Sequence, residues 1–250
     1  MNATVGPLEG KVALVTGGSR GIGAGIAKRL AADGATVALT YASSRDQATQ
    51  VVADIAAAGG TAFAIHADSA IEADVIGSVT ETVTRFGRLD ILVNNAGGGS
   101  SAMIDEMPMS DIDRILAVNV RAVIVAIRES LTHMGAGSRI INIGSINAER
   151  VPFPGISIYA ASKGAVVGLT KGLTRELAPR GITINNVQPG PVNTDFNSAD
   201  GPAAHLMLSA MALDRFGDVS EIGAFVSFLA GPDGGFITGA SLSIDGGFTS

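Results

Sequence analysis

Apolar positions along the chain fall into two alternating patterns. Short runs rich in β-branched residues at 12–16, 36–41, 62–66, 89–94, 139–143, 182–187 and 240–245 predict strands. Between them, apolar residues recur at helical spacing over 22–32, 45–58, 73–85, 109–132, 157–177 and 220–229, which predicts helices. The strands are apolar almost throughout, as a parallel sheet covered on both faces requires. Strand and helix alternation gives right-handed βαβ units. The expected fold is therefore α/β: one doubly wound domain over 1–250, seven parallel strands with helices on both faces, without linker or repeat. The least regular segment, about 195–212, reads either as a surface loop or as a flap over a pocket.

The 250 residues are 46% apolar and 16% charged, with 33 Gly, 9 Pro and no Cys. That length suffices for one large core, and the Gly and Pro content stays below the share that marks disordered chains. A net charge of −6 without a basic block leaves no footprint for nucleic acid or an anionic membrane, so any bound anion is small and locally held. Mean hydropathy is +0.37, yet polar residues such as Asn119 and Arg121 interrupt the long apolar stretches, so no membrane span is expected. The first ten residues lack the pattern of a secretion signal. Without Cys there are no disulfides, thiolate nucleophiles or Cys-ligated metals, and a cytoplasmic location is expected. His66, His133 and His205 lack metal-ligand spacing, so no metal site is expected. Asn2-Ala3-Thr4 fits a glycosylation pattern that matters only on export.

The first strand runs into Thr16-Gly17-Gly18-Ser19-Arg20-Gly21-Ile22-Gly23 and then a helix. Glycines there permit positive φ and close backbone approach, and free N–H groups at a helix N-terminus bind pyrophosphate. The turn alone also fits a tight strand-to-helix connection. The acid that normally meets an adenosine ribose about 20 residues later is missing, because the second strand ends Tyr41-Ala42-Ser43-Ser44. A 2′-phosphate is repelled by an acid and bound by hydroxyls, backbone N–H groups and arginine. Arg20, Ser43 and Ser44 supply those groups, with Arg45 next in line, and predict NADP(H) over NAD(H).

Tyr159 and Lys163 stand at i and i+4 on one helix face, close enough for the ammonium to act on the phenol. A free phenol titrates near pH 10, so acid–base work at neutrality needs a depression of about 3 pH units, roughly 4 kcal/mol. A nearby Lys⁺ together with a cationic nicotinamide would provide it. The pair alone also fits an amphipathic helix with a snorkelling lysine. Ser145 and Asn94-Asn95-Ala96-Gly97, however, fall at the carboxyl ends of the fifth and fourth strands, where open α/β sheets bind ligands. Asn119 interrupts an apolar helical run, and a buried polar side chain there must find partners.

In this order, the glycine turn, Asn94-Asn95-Ala96-Gly97, Asn119, Ser145, Tyr159 with Lys163, Pro189-Gly190 and Asp245-Gly246-Gly247 resemble the short-chain dehydrogenase/reductase family, over residues 11–247. The resemblance implies a Rossmann-type fold and a catalytic set of four. Tyr159 would protonate the carbonyl oxygen and Ser145 would orient and polarise it. Lys163 would lower the phenol pKa and hold the nicotinamide ribose, and Asn119 would fix a water in a proton relay. The cofactor would lie on Gly17, Ser19, Arg20, Gly21, Ile22 and Gly23, with Tyr41, Ala42, Ser43 and Ser44 beyond them. Asp68 and Ser69 would sit at the adenine and Asn95, Ala96 and Gly97 along the riboses. Pro189, Gly190, Val192 and Thr194 would border the nicotinamide. Arg20, just before the second glycine, matches the NADP-preferring pattern. The 14 positions from Ser145 to Tyr159 are long for the family and include Glu149, Arg150, Pro152, Phe153 and Pro154, so substrate contacts are not carried over.

The reading is an NADPH-dependent carbonyl reductase acting reversibly on a ketone or 3-oxo compound, with an apolar pocket mouth at Phe153, Phe196, Leu206 and Met207. A sugar or polyol dehydrogenase shares every motif. A 3-oxoacyl-carrier-protein reductase needs a basic rim, for which Arg121, Arg128 and Arg150 are the candidates. A non-catalytic NADP(H)-sensing regulator is a third class, which the complete catalytic set disfavours. The resemblance further implies a homotetramer, and Gly164, Ala165, Gly168 and Gly172 would permit close helix approach.

Overall fold

The structure, a computed structural model, describes residues 6–250, so the Asn2-Ala3-Thr4 pattern and the first five residues lie outside the described residues. Strands β1 (Val12–Val15), β2 (Thr36–Tyr41), β3 (Thr61–His66), β4 (Ile91–Asn94), β5 (Arg139–Ile143), β6 (Thr183–Pro189) and β7 (Ser241–Ile244) form one sheet in the order β3-β2-β1-β4-β5-β6-β7. Every pairing is parallel. The chain steps outward from β1 to β3, then crosses back to β4 beside β1. That reversal opens a crevice at the carboxyl ends of β1 and β4.

Alternation along each strand divides the core into two layers. Ala13, Val15, Ile91, Val93, Ile141 and Ile143 face helices α1 (Gly21–Ala32), α2 (Arg45–Ala57) and α8 (Val219–Ala230). Leu14, Leu92 and Ile140 face α3 (Glu72–Phe86), α5 (Ala122–Ser130) and α6 (Ser157–Leu177). Both faces are therefore dry, which is why the strands carry no polar alternation. Among the described residues, no helix is long and apolar enough to cross a membrane.

Four boundaries differ from the sequence expectation. The helix expected over 109–132 divides into α4 (Met109–Leu116), a π-helical turn (Ala117–Arg121) and α5. The wide turn carries Asn119, only 1% exposed, whose amide is bonded outside the helix. Strand β4 starts after Leu89 and Asp90, because the Asp90 carboxylate is taken up by the Val12 N–H at 2.9 Å and by the Arg88 guanidinium at 2.6–2.8 Å. Strand β6 extends through Gln188 and Pro189, paired with Ser243 and Ile244. The irregular segment holds a short helix, α7 (Ala204–Leu208). Helix α8 begins on a capping box of Asp218 and Glu221, with Arg215 beside Glu221 holding that carboxyl down at about 2.

Candidate active site

Strand β1 delivers the glycine turn to the crevice, and β4 fastens it there. Thr16 Oγ1 accepts the Asn95 and Ala96 N–H groups, each at 3.0 Å. Asn95 Nδ2 returns hydrogen bonds to the Thr16 and Gly17 carbonyls at 2.9 and 3.0 Å. Gly17 adopts φ +64°, and a Cβ on Gly23 would stand 2.3 Å from the Gly17 oxygen and 2.4 Å from Asn95 Nδ2. Any larger residue at 23 would push α1 off the turn. Arg20, the N-cap of α1, makes no side-chain cap bond, and the first turn holds no acid. Its N–H groups are therefore left for an anion, as a dinucleotide pyrophosphate requires.

The turn opens onto a cleft of about 820 Å³. Gly17, Ser19, Arg20, Gly21, Ile22, Gly23, Tyr41, Ala42, Ser43, Ser44, Asp68, Ser69, Asn95, Ala96, Gly97, Pro189, Gly190, Val192 and Thr194 all line it, as do Ser145, Tyr159 and Lys163. Asn119 alone of the candidates stands behind the wall. Arg20 is exposed at the rim with Ser43 and Ser44, which continue β2. The Asp68 carboxylate is partly engaged: it accepts the Ala70 N–H at 2.9 Å and lies 3.5 Å from Arg114. At the other end Phe153, Phe196, Leu206 and Met207 form walls, joined by Ile156 and Phe248.

The candidate catalytic groups converge on the cleft floor. Ser145 follows β5, and Tyr159 and Lys163 stand on the first turns of α6. Lys163 Nζ lies 5.6 Å from the Tyr159 ring centre and donates to the Ile143 carbonyl at 2.9 Å. Behind them Asn119 bridges Gly98 and α6. Its Oδ1 accepts the Gly98 N–H at 3.0 Å, and its Nδ2 donates to the Gly98 carbonyl at 2.8 Å and to Ser162 Oγ at 2.9 Å. Burial lowers Lys163 to about 8, so it stays mostly charged at neutrality. Burial pushes the Tyr159 phenol above its ordinary value, and the neighbouring Ser145 hydroxyl pulls it partway back. The sequence expectation relied on Lys163 together with a cationic nicotinamide, and burial of the phenol is what those two charges would have to offset.

The family described as enoyl-(acyl carrier protein) reductase matches residues 17–249. A short-chain dehydrogenase/reductase from Serratia marcescens has 57% sequence identity and a TM-score of 0.96, covering 98% of this chain and 100% of its own. The chain belongs to the short-chain dehydrogenase/reductase family. A short-chain dehydrogenase from Burkholderia cenocepacia in complex with NADP matches at 53% identity and TM-score 0.96, over 98% of this chain and all of its own. A protein of Escherichia coli strain K12 named cyclic-di-GMP-binding biofilm dispersal mediator protein is 45% identical over 244 residues, 98% of this chain and 99% of that protein.

Among the cleft residues of this short-chain dehydrogenase/reductase that escaped sequence reasoning, three stand out. Arg114 reaches the cleft from α4, and nothing in its local pattern links it to Asp68. Asn147 lies in the 3-10 turn after Ser145. Phe248, 2% exposed, follows Asp245-Gly246-Gly247 and turns back into the cleft wall. An aromatic residue directly after that glycine pair was the one signal available for it.

Proposed function

We propose that this family member is an NADPH-dependent carbonyl reductase, working reversibly on ketones or 3-oxo compounds. The observation that carries the reading is the convergence of Ser145, Tyr159 and Lys163 on the floor of a cleft whose other end holds an uncapped helix N-terminus and Arg20. NADPH supplies a hydride to the carbonyl carbon when bound. Tyr159 gives its O–H proton to the carbonyl oxygen, so the ketone gains one hydride and one proton and leaves as the alcohol. Ser145 holds and polarises that oxygen. The Lys163 charge stabilises the phenolate left on Tyr159, and the Asn119 amide keeps the Gly98 loop and α6 in register behind it.

The substrate end favours uncharged, apolar ketones, since Phe153, Phe196, Leu206, Met207, Ile156 and Phe248 dominate its walls. Of the basic candidates for the acyl-carrier reading, none lines the cleft. Arg121 is paired with Glu72, and the Arg150 guanidinium is bound to the Phe248 carbonyl. The relative named as a biofilm dispersal mediator keeps a non-catalytic NADP(H)-sensing regulator as the second reading.

The test follows absorbance at ~340 nm with NADPH and, separately, NADH over aryl ketones, cyclic ketones, diketones and 3-oxoacyl esters. NADPH consumption with the apolar ketones is expected. Binding of NADPH with no turnover across the panel would favour the regulator. The proposal also takes the chain as one domain in a homotetramer, in the cytoplasm. A Cβ at Gly164, Gly168 or Gly172 meets nothing within 4 Å, so these α6 glycines are not required for packing within the chain. Sedimentation should show four chains, and a ~25 kDa species alone would overturn the assembly.

A further inference from the structure

Asn147 borders the cleft from the 3-10 turn (Ile146–Ala148) and meets Ser145 with both its backbone and its side chain. Its N–H donates to Ser145 Oγ at 3.1 Å, and the Ser145 O–H donates to its Oδ1 at 3.2 Å. Its Nδ2 donates to the Arg150 carbonyl at 3.1 Å. That last bond decides which way the amide faces, because turning it over would set Oδ1 against another acceptor. With Oδ1 toward the serine, the only proton available to that bond is the serine's. Arg150 is itself anchored: its guanidinium binds the Phe248 carbonyl and stands 5.4 Å from the Phe248 ring centre. Asp245 holds that C-terminal turn through the Gly247 and Thr249 N–H groups at 3.0 and 2.9 Å.

We infer that Asn147 is a positioning residue: its carboxamide oxygen holds the Ser145 proton, so that the serine offers Tyr159 its lone pairs and the phenol remains the donor of the two. A carbonyl oxygen entering the cleft competes with Oδ1 for that proton. Meanwhile the Asn147 N–H keeps Oγ in place, so the switch moves a hydrogen and no heavy atom.

The inference rests on Tyr159 being the acid of the proposed reaction, but the phenol can be read without turnover. Lys163 is the charged group facing the phenol, from α6, and Gly99 covers the ring from the loop after β4. The other charged residues lining the cleft are Arg20, Asp68, Arg114 and Asp195. Glu149 and Arg150 flank the Asn147 turn.

The chain has two tyrosines. Carbon-13-labelled tyrosine, with Tyr41→Phe to assign the second signal, therefore follows Tyr159 by NMR through a pH titration, with and without NADP⁺. Asn147→Ala frees the serine proton for the phenolate and should lower the Tyr159 midpoint by about one pH unit, the scale of one hydrogen bond to a charged group. Asn147→Asp keeps an acceptor of the same shape and adds negative charge, so it should raise the midpoint. Distortion of the turn would move both variants alike. In a Ser145→Ala background, Asn147→Ala should have no further effect. Shifts of the same sign, no shift with Asn147→Ala, or an alanine effect that survives without Ser145 would each overturn the inference. If Asn147→Ala does not fold, Asn147→Leu removes the acceptor at nearly constant shape. An inactive protein that still shows the opposed shifts would overturn carbonyl reduction alone.

Discussion

Tyr159→Phe should lower the rate of NADPH-dependent ketone reduction by at least about a hundredfold, the low end of what a placed general acid contributes. Phenylalanine keeps the ring against Gly99, where a Cβ would lie 3.1 Å from the Tyr159 ring, and beside Lys163 Nζ, 5.6 Å from its centre. Only the O–H is lost. Ser145 and the Gly98–Asn119–Ser162 bonds are untouched, so the cleft keeps its shape and NADPH binding should change little. Steady-state rates and a binding titration with NADPH together separate the two effects. An undiminished rate would remove Tyr159 from the chemistry, and an equal loss in NADPH affinity would make it a binding residue.

Arg20→Glu should cut the preference for NADPH over NADH by about a hundredfold. A charge-assisted bond to phosphate is worth about 1.5–3 kcal/mol, and a carboxylate in its place repels the same group. The residue stands exposed at the cleft rim beside Ser43 and Ser44, where β2 ends without an acid. Solvent and salt screen an interaction so placed, and the effect should shrink as ionic strength rises. The ratio of kcat/KM for the two cofactors, taken at low and moderate salt, reads this directly. An unchanged ratio would mean that the adenosine end is recognised elsewhere, with Arg114 the other arginine on the cleft wall.

Much of this architecture is legible in the chain because its signals are local. Apolar strands such as Val12–Val15 and Ile91–Asn94 report a sheet buried on both faces, and the glycine turn reports a close backbone approach. The i, i+4 pair of Tyr159 and Lys163 follows from helix geometry alone. Phe153, Phe196, Leu206 and Met207, expected at the pocket mouth from their position in the chain, do line the cleft.

The chain by itself therefore determined the βαβ alternation, the absence of an acid after β2 and the i, i+4 spacing of Tyr159 and Lys163. Those properties depend on residue type and on spacing within one or two elements. Tertiary structure decided what those residues experience. The π turn at Asn119 exists because its amide finds Gly98 and Ser162, residues 21 and 43 positions away. The Tyr159 phenol is raised because neighbouring elements take it out of water. Asn147 meets Ser145 under the control of Arg150, and Arg150 is held by Phe248, 98 positions further on. Desolvation and the direction of a hydrogen bond depend on every group that packs around an atom. Only the folded chain brings those groups together.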